Sequence, residues 1–249
     1  MDSCVTTSPT KCANCILSSN SAFKPHSEGE TKFISSFKSG ELNCEPGMTV
    51  IAEGTHSPHL YTILEGWGFR YKTLEDGRRQ ILNYVMPGDM IGLQGAILEH
   101  MDHSVDALTA MRLCVFERTR IFSLFEKHAG VAYDITWLAS REESILDSHL
   151  LSVGRRTALE RAAYLMAFLY HRGLRASVVS ERRAYLPLTQ IMVADTLGLS
   201  LVHTNKTLKK LSDMKLIRWK DRGCEVLKPE ALTELAKWEP APAVERPYI

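Results

Sequence analysis

Val202, His203, Asn205, Lys206 and Lys209 place imidazole, amide and ammonium groups along one side of a helical stretch. Such a face presents donors to base edges and phosphates. A short helix of this kind fits the major groove of duplex DNA.

The flanking residues supply the elements that would hold this face. Thr189 can cap one helix through its hydroxyl, Gly198 suits a left-handed helix end, and Ser200 can cap the next helix. Thr204, Leu208 and Leu211 fall at helical spacing on the opposite side and are expected to pack inward. A strand over Leu216–Lys220, turn residues Asp221, Arg222 and Gly223, and a return strand over Cys224–Leu227 follow at once. An ordinary helical hairpin is the competing reading. A β-hairpin straight after the second helix favours a winged helix–turn–helix, with Arg218, Lys220 and Arg222 near phosphate.

Charge is distributed to match. The 249-residue chain has a formal net charge of +1, with 45% hydrophobic and 24% charged residues, as in ordinary globular proteins. Leu151–Lys228 alone holds 15 Lys and Arg against 6 Asp and Glu, a net of +9, which leaves −8 for the rest. The positive field therefore lies on the segment that holds the helix pair. No apolar run reaches the roughly 20 residues that span a bilayer. The first residues, Met1-Asp2-Ser3-Cys4, lack the basic and apolar regions of a signal peptide. A cytoplasmic location without membrane attachment is expected, and the six cysteines are then expected as thiols or metal ligands.

Five regions are expected. Residues 1–30 read as a mobile, cysteine-containing tail. Residues 31–118 carry short strands between turns such as Glu75-Asp76-Gly77, the texture of a small β-sandwich or roll. Residues 119–153 return to helical period, with an apolar stripe through Ala132, Ile135, Leu138, Ile145, Leu146 and Leu150. This stripe is a candidate two-fold contact, the alternative being packing on the chain's own sheet. Gly154 is expected to break that helix. Residues 154–230 hold the winged helix–turn–helix, and 231–249 a Pro-rich, disordered tail. The fold class is α+β.

This order resembles the cyclic-AMP receptor and fumarate–nitrate regulator superfamily of bacterial transcription factors over roughly residues 33–230. The resemblance rests on Leu186-Pro187-Leu188-Thr189-Gln190, Ala194-Asp195, Leu197-Gly198-Leu199-Ser200 and Leu208-Lys209-Lys210-Leu211. In the roll, Leu64-Glu65-Gly66 and Pro87-Gly88-Asp89-Met90-Ile91-Gly92 match as well. It implies a cyclic-nucleotide-binding-like β-roll, a central dimerisation helix, a homodimer on two-fold-related DNA, and RNA polymerase as a partner if the protein activates. Gln190 resembles a family residue that contacts the DNA backbone. The recognition helix departs from the family. Where the family shows an arginine or other side chain and then a glutamate, this chain has Leu201 and Val202, and Lys206 stands in place of an arginine. Valine cannot accept from cytosine but can touch a thymine methyl. Asn205 can pair bidentately with adenine, His203 can reach base or phosphate, and Lys206 can meet guanine or phosphate without arginine's fork.

The resemblance also implies a signal sensed through the N-terminal region. Cyclic-nucleotide members carry a glutamate and an arginine for the ribose and phosphate. Here Gln94 stands near the glutamate position and no arginine occurs from Gly92 to Ala110, which argues against cyclic AMP. The oxygen-sensing branch, to which this chain is nearer, holds an iron–sulfur cluster on N-terminal cysteines plus one from the roll. Cys12 and Cys15, two residues apart, with Cys114 and Cys4, are the corresponding candidates, although the branch's further cysteine after the pair is missing. A thiol switch is the other reading, and Cys44 and Cys224 read as structural. A metal-dependent cupin-type enzyme is the runner-up from another class, on His56, His59, Glu65 and Gly66. The histidine interval is wrong for it, and both histidines read as turn residues.

Overall fold

The computed structural model describes residues 5–6, 10–220, 223–242 and 244–249. It divides into two compact units. The first comprises residues 1–72, 84–143 and 243–249, and the second 73–83 and 144–242.

The first unit opens with β1 (Val5–Thr6), two short 3-10 turns at Cys12–Asn14 and Ile16–Ser19, and α1 (Glu28–Phe37). Nine strands follow the roll pattern: β1 with β2 (Lys38–Cys44), β3 (Thr49–Ile51), β4 (His59–Glu65), β5 (Gly68–Thr73), β6 (Arg79–Val85), β7 (Met90–Ile91), β8 (Ser104–Ala107) and β9 (Met111–Glu117). One sheet has the order β1-β2-β9-β4-β7 and the other β3-β8-β5-β6. The sheets follow from alternation, since successive side chains on a strand face opposite ways. On β9, Leu113 and Val115 join Tyr61, Ile63 and Val105 inside the roll. Cys114 and Phe116 point the other way, into a second core with Leu60, Leu64, Phe37, Ile121 and Leu124. That second core is the layer on which the helices sit. Between β7 and β8 lies a short helix, α2 (Leu93–Leu98), where the sequence pattern indicates none.

Three expectations are corrected. Residues 10–30 are folded. Leu17 and Phe23 are buried, and Ser27 and Glu30 form a capping box that starts α1 at Glu28. The C-terminal tail is folded too: Tyr248 and Ile249 are buried in the second core. Arg246 pairs with buried Asp89. The stretch assigned to a single central helix is two. After a 3-10 turn, α3 (Ile121–Lys127) ends at His128, whose backbone is non-helical. Then α4 (Ala129–Arg155) runs through Gly154 without a break. Glycine inside a helix costs only about 1 kcal/mol. The boundary is set instead by Thr157, whose capping box with Glu160 starts α5 (Ala158–Arg175). Ala132, Ile135, Leu138 and Ile145 of the expected contact stripe are buried within the chain, the outcome of packing on its own fold. Leu150 of that stripe is exposed, as are two apolar residues of α4 outside it, Tyr133 and Leu151.

The roll encloses a charge. Arg70 on β5 is paired across the sheet with Val105 of β8, so both face the interior. Its Nε donates to His103 Nε2 at 3.0 Å, and its Nη1 forms an ion pair with Glu142 of α4. Burial first, then Arg70 and Lys72, push the His103 pKa down to about 3, against an ordinary 6.5. His103 is 4% exposed, so the shift acts on stability. Unfolding lets it take up a proton between these two values. The stabilisation is therefore full above about pH 6.5 and is lost as pH falls toward 3, at ~1.4 kcal/mol per pH unit. Going from pH 7.5 to 5.0 should cost the first unit ~2 kcal/mol through this residue. In urea titrations at the two pH values, His103→Gln should show a smaller loss than the parent protein, and equal losses would exclude the buried histidine as the cause.

Candidate nucleic-acid interface

The second unit carries the helix pair. A short strand, β10 (Tyr185–Leu186), leads into α6 (Gln190–Leu197), a turn through Gly198, and α7 (Leu201–Asp213). Thr189 caps α6 by accepting from Met192 N at 3.2 Å. Gly198 ends it with φ 64°, the left-handed region that glycine enters without a Cβ penalty. Ser200 caps α7 by accepting from His203 N at 3.3 Å. These three residues therefore fix the helix boundaries where the sequence pattern places them.

Thr204, Thr207, Leu208 and Leu211 are buried, which fastens one side of α7 to the unit. Leu201, Val202, His203, Asn205, Lys206 and Lys209 are all exposed on the remaining surface, as are Thr189 and Ser200, while Gln190 at the start of α6 is half-buried. Among the described residues, Lys206 and Lys209 form no ion pair. Met192, at a position with no sequence rationale, is buried, and its neighbour Ile191 is exposed.

The wing is a hairpin of β11 (Ile217–Lys220) and β12 (Gly223–Val226), with β10 adding a third strand beside β12. Gly223 lies so close to Tyr185 that a Cβ there would meet its ring at 2.3 Å. Arg218, expected near phosphate, is spent within the wing: its Nε and Nη2 donate to Glu225 at 2.9 and 2.6 Å. Lys220 is exposed. Arg222 lies outside the described residues. After the wing, α8 (Pro229–Leu235) packs on α5.

The tip of the β5–β6 hairpin also belongs to this unit and braces α6. Arg79 donates to Asp195 at 2.9 and 2.7 Å. Gln80 donates to the Thr196 carbonyl at 2.9 Å. The sequence resemblance marked Asp195 without indicating this partner, because the pair is 116 residues apart.

The cysteine candidates lie in the first unit. Cys12, Cys15 and Cys114 line one cavity of about 160 Å³, together with Lys38, Glu41 and Tyr248. Burial, opposed by Lys38, holds the Cys114 thiol up at about 12, and burial raises Cys12 as well. A cluster needs thiolates converging on one centre. Among the described residues, no three His, Cys, Asp or Glu side chains are placed to hold a metal ion. The ligand set expected for a cluster is therefore not assembled by these residues, and Cys4 lies outside them. The cupin reading fails on placement too: His56 is exposed and hydrogen-bonds the Glu99 carbonyl. Cys44 and Cys224 are buried within their sheets, as structural residues.

A β-roll followed by a winged helix–turn–helix with a basic, exposed second helix defines a DNA-binding regulator. Residues 41–128 match the cyclic nucleotide-binding domain family and residues 160–235 the Crp-like helix-turn-helix domain family. The chain is 30% identical over 191 residues to the transcriptional activatory protein AadR of Rhodopseudomonas palustris, covering 77% of this chain and 79% of that protein. It is 32% identical over 190 residues to the nitrogen fixation regulation protein FixK of Bradyrhizobium diazoefficiens, covering 76% and 79%. The structure of FixK2 from Bradyrhizobium japonicum superimposes with a TM-score of 0.68 at 22% identity, over 81% of this chain and 98% of that one, which shows the shared fold. The chain belongs to the CRP/FNR family, among its FNR-like members, and is a DNA-binding transcription regulator rather than an enzyme.

Ser200→Ala removes the acceptor for the first turn of α7. Thermal unfolding of the full chain should show the second unit losing ~1 kcal/mol, the usual worth of an N-cap. DNA affinity should fall with it. An unchanged transition would mean that Ser200 does not set the start of the helix.

Proposed function

We propose that the protein acts as a homodimer on a two-fold-related DNA site and reads each half-site with α7. The observation that carries this is the exposed, unpaired state of Lys206 and Lys209 beside Val202, His203 and Asn205. In this reading Asn205 pairs with adenine, Val202 lies against a thymine methyl, and Lys206 meets guanine or phosphate. Thr189, Gln190, Ser200 and Leu201 lie at the two helix starts, where free N–H groups also favour phosphate, and Lys209, two turns further along α7, meets the DNA backbone with its ammonium.

The dimer is supported by α4. Tyr133 and Leu151 are exposed and about five whole turns apart, hence on one side of the helix. Such residues on a long helix suit a contact with a second copy. Among the described residues no helix is long and apolar enough to cross a membrane, and a cytoplasmic location goes with a DNA partner. AadR is named an activatory protein. If this chain activates too, RNA polymerase is its further partner.

Selection of bound sequences from random duplexes tests the reading, alongside titrations in rising salt. The recovered half-site should differ from one read by a glutamate at position 202, and recovery of a glutamate-type cytosine contact would overturn the assignment. Lys206→Ala should weaken binding by about 5- to 100-fold, the range for a base contact. If the lysine serves phosphate instead, the salt slope should drop by about 1. Unchanged affinity and slope would remove Lys206 from the interface.

A further inference from the structure

The turn histidine that fits no cupin site has a partner elsewhere in the first unit. His56 and His100 are both exposed. Their ring centroids lie 6.3 Å apart, with the ring planes at 85°. His59, the other histidine of that turn, is half-buried and packs instead on Tyr61.

Backbone hydrogen bonds place the pair. The Gly54 N–H donates to the Met101 carbonyl at 2.7 Å, and the Met101 N–H donates to the Thr55 carbonyl at 3.2 Å. His56 follows Thr55 and His100 precedes Met101, so the two rings stand side by side on segments already joined. Ser57 and Met101, each directly after one of the histidines, are buried and anchor the two segments. Glu99 ends α2 with φ 74° and ψ −36°. Its carbonyl accepts from Arg118 Nη1 at 3.0 Å and from His56 Nδ1 at 2.6 Å.

A carbonyl accepts only, so neutral His56 carries its proton on Nδ1 and leaves the Nε2 lone pair free. Proteins set a metal-binding histidine in this way. The other ring nitrogen donates to a backbone carbonyl, which fixes the tautomer and the ring orientation. An imidazole nitrogen sits about 2.1 Å from a bound ion and the ring centre about 1.1 Å further on, so two imidazoles on one ion have centres up to roughly 6.4 Å apart. The separation of 6.3 Å is within that reach and close to its trans limit. Trans imidazoles suit the tetragonal geometry of nickel(II) and copper(II) better than the tetrahedral geometry of zinc.

We propose that His56 and His100 form a site for a divalent metal ion of tetragonal preference, nickel(II) or copper(II), on the surface of the first unit. His56 Nε2 and one ring nitrogen of His100 are its protein ligands, and water fills the remaining positions. Among the described residues no third His, Cys, Asp or Glu joins them, so the ion exchanges with solvent. When bound, it ties the turn between β3 and β4 to the end of α2.

Nickel(II) is the probe, because thiols do not reduce it. Reduced full-length protein is treated with diethyl pyrocarbonate, which acylates free imidazole nitrogens, with and without the ion. Modified histidines are mapped by mass spectrometry. With the free ion at about ten times its dissociation constant, His56 and His100 should react about tenfold more slowly, by mass action. His203 on α7, exposed and far along the chain, should react as before. His56→Ala should abolish the protection of His100, and His100→Ala that of His56, because the ion needs both rings. Calorimetry should give a nickel(II) site that both variants lack and His59→Ala keeps. No protection, protection of one histidine alone, protection that survives loss of the partner, or equal slowing at His203 would each overturn the proposal. Loss of the site in His59→Ala would assign it to the two histidines of the turn and overturn it as well.

Discussion

The alternation of β9 is the constraint on which the first unit depends. This strand lies between β2 and β4, in the middle of the five-stranded sheet. Its odd residues Leu113 and Val115 face the roll interior, and its even residues Cys114 and Phe116 face the helical layer. A slip of one residue would exchange these sets and put every side chain on the wrong side. The two cores are therefore built from the two faces of one strand. The same alternation places Cys114 outside the roll, facing the layer where the N- and C-terminal segments meet. A thiol on the inner face would belong to the barrel-like core and could share no cavity with Cys12 and Cys15.

Inside the roll, the buried cation shapes what the domain can accept. Arg70 is buried, and a buried charge is tolerated only when paired and hydrogen-bonded. Here the chain supplies both: Glu142 from α4 and His103 from the loop before β8. His103 serves as an acceptor because it is held neutral. An anionic ligand entering the roll would compete with Glu142 for the same guanidinium. The segment from Gly92 to Ala110 adds no second arginine to offset the loss. Within the stretch that matches the cyclic nucleotide-binding domain family, Arg70 is thus paired by the chain itself.

The parts legible in the sequence are those fixed by local physics. Thr189, Gly198 and Ser200 define helix ends through side-chain caps and a positive φ, and each acts within three residues of its own position. The inward set on α7 follows from period alone. The hairpin strands announce themselves by alternation and by Gly77 and Gly223. The terminal segments escaped because their contacts have neither period nor proximity. Leu17, Phe23, Tyr248 and Ile249 are isolated apolar residues in polar or Pro-rich sequence, and Arg246 finds Asp89 from 157 residues away. The α4 stripe shows the opposite limit. Its apolar period was legible, but period does not say which surface covers a helix. The sheet core of the same chain took Ala132 and Ile135.

The wing illustrates why charge at an expected interface is not the same as availability. Arg218 looked equivalent to the lysines of α7, yet Glu225 stands directly across from it in the β11–β12 register. Arg218 Nε and Nη2 both donate to Glu225 Oε2, a charge-assisted contact that phosphate would have to break. Lys206 and Lys209 form no ion pair among the described residues, although Asp213 follows Lys209 by one helical turn. Lys206 and Lys209 thus remain exposed along the middle of α7, beyond the cap at Ser200. In the wing, by contrast, the cross-strand carboxylate already holds the arginine.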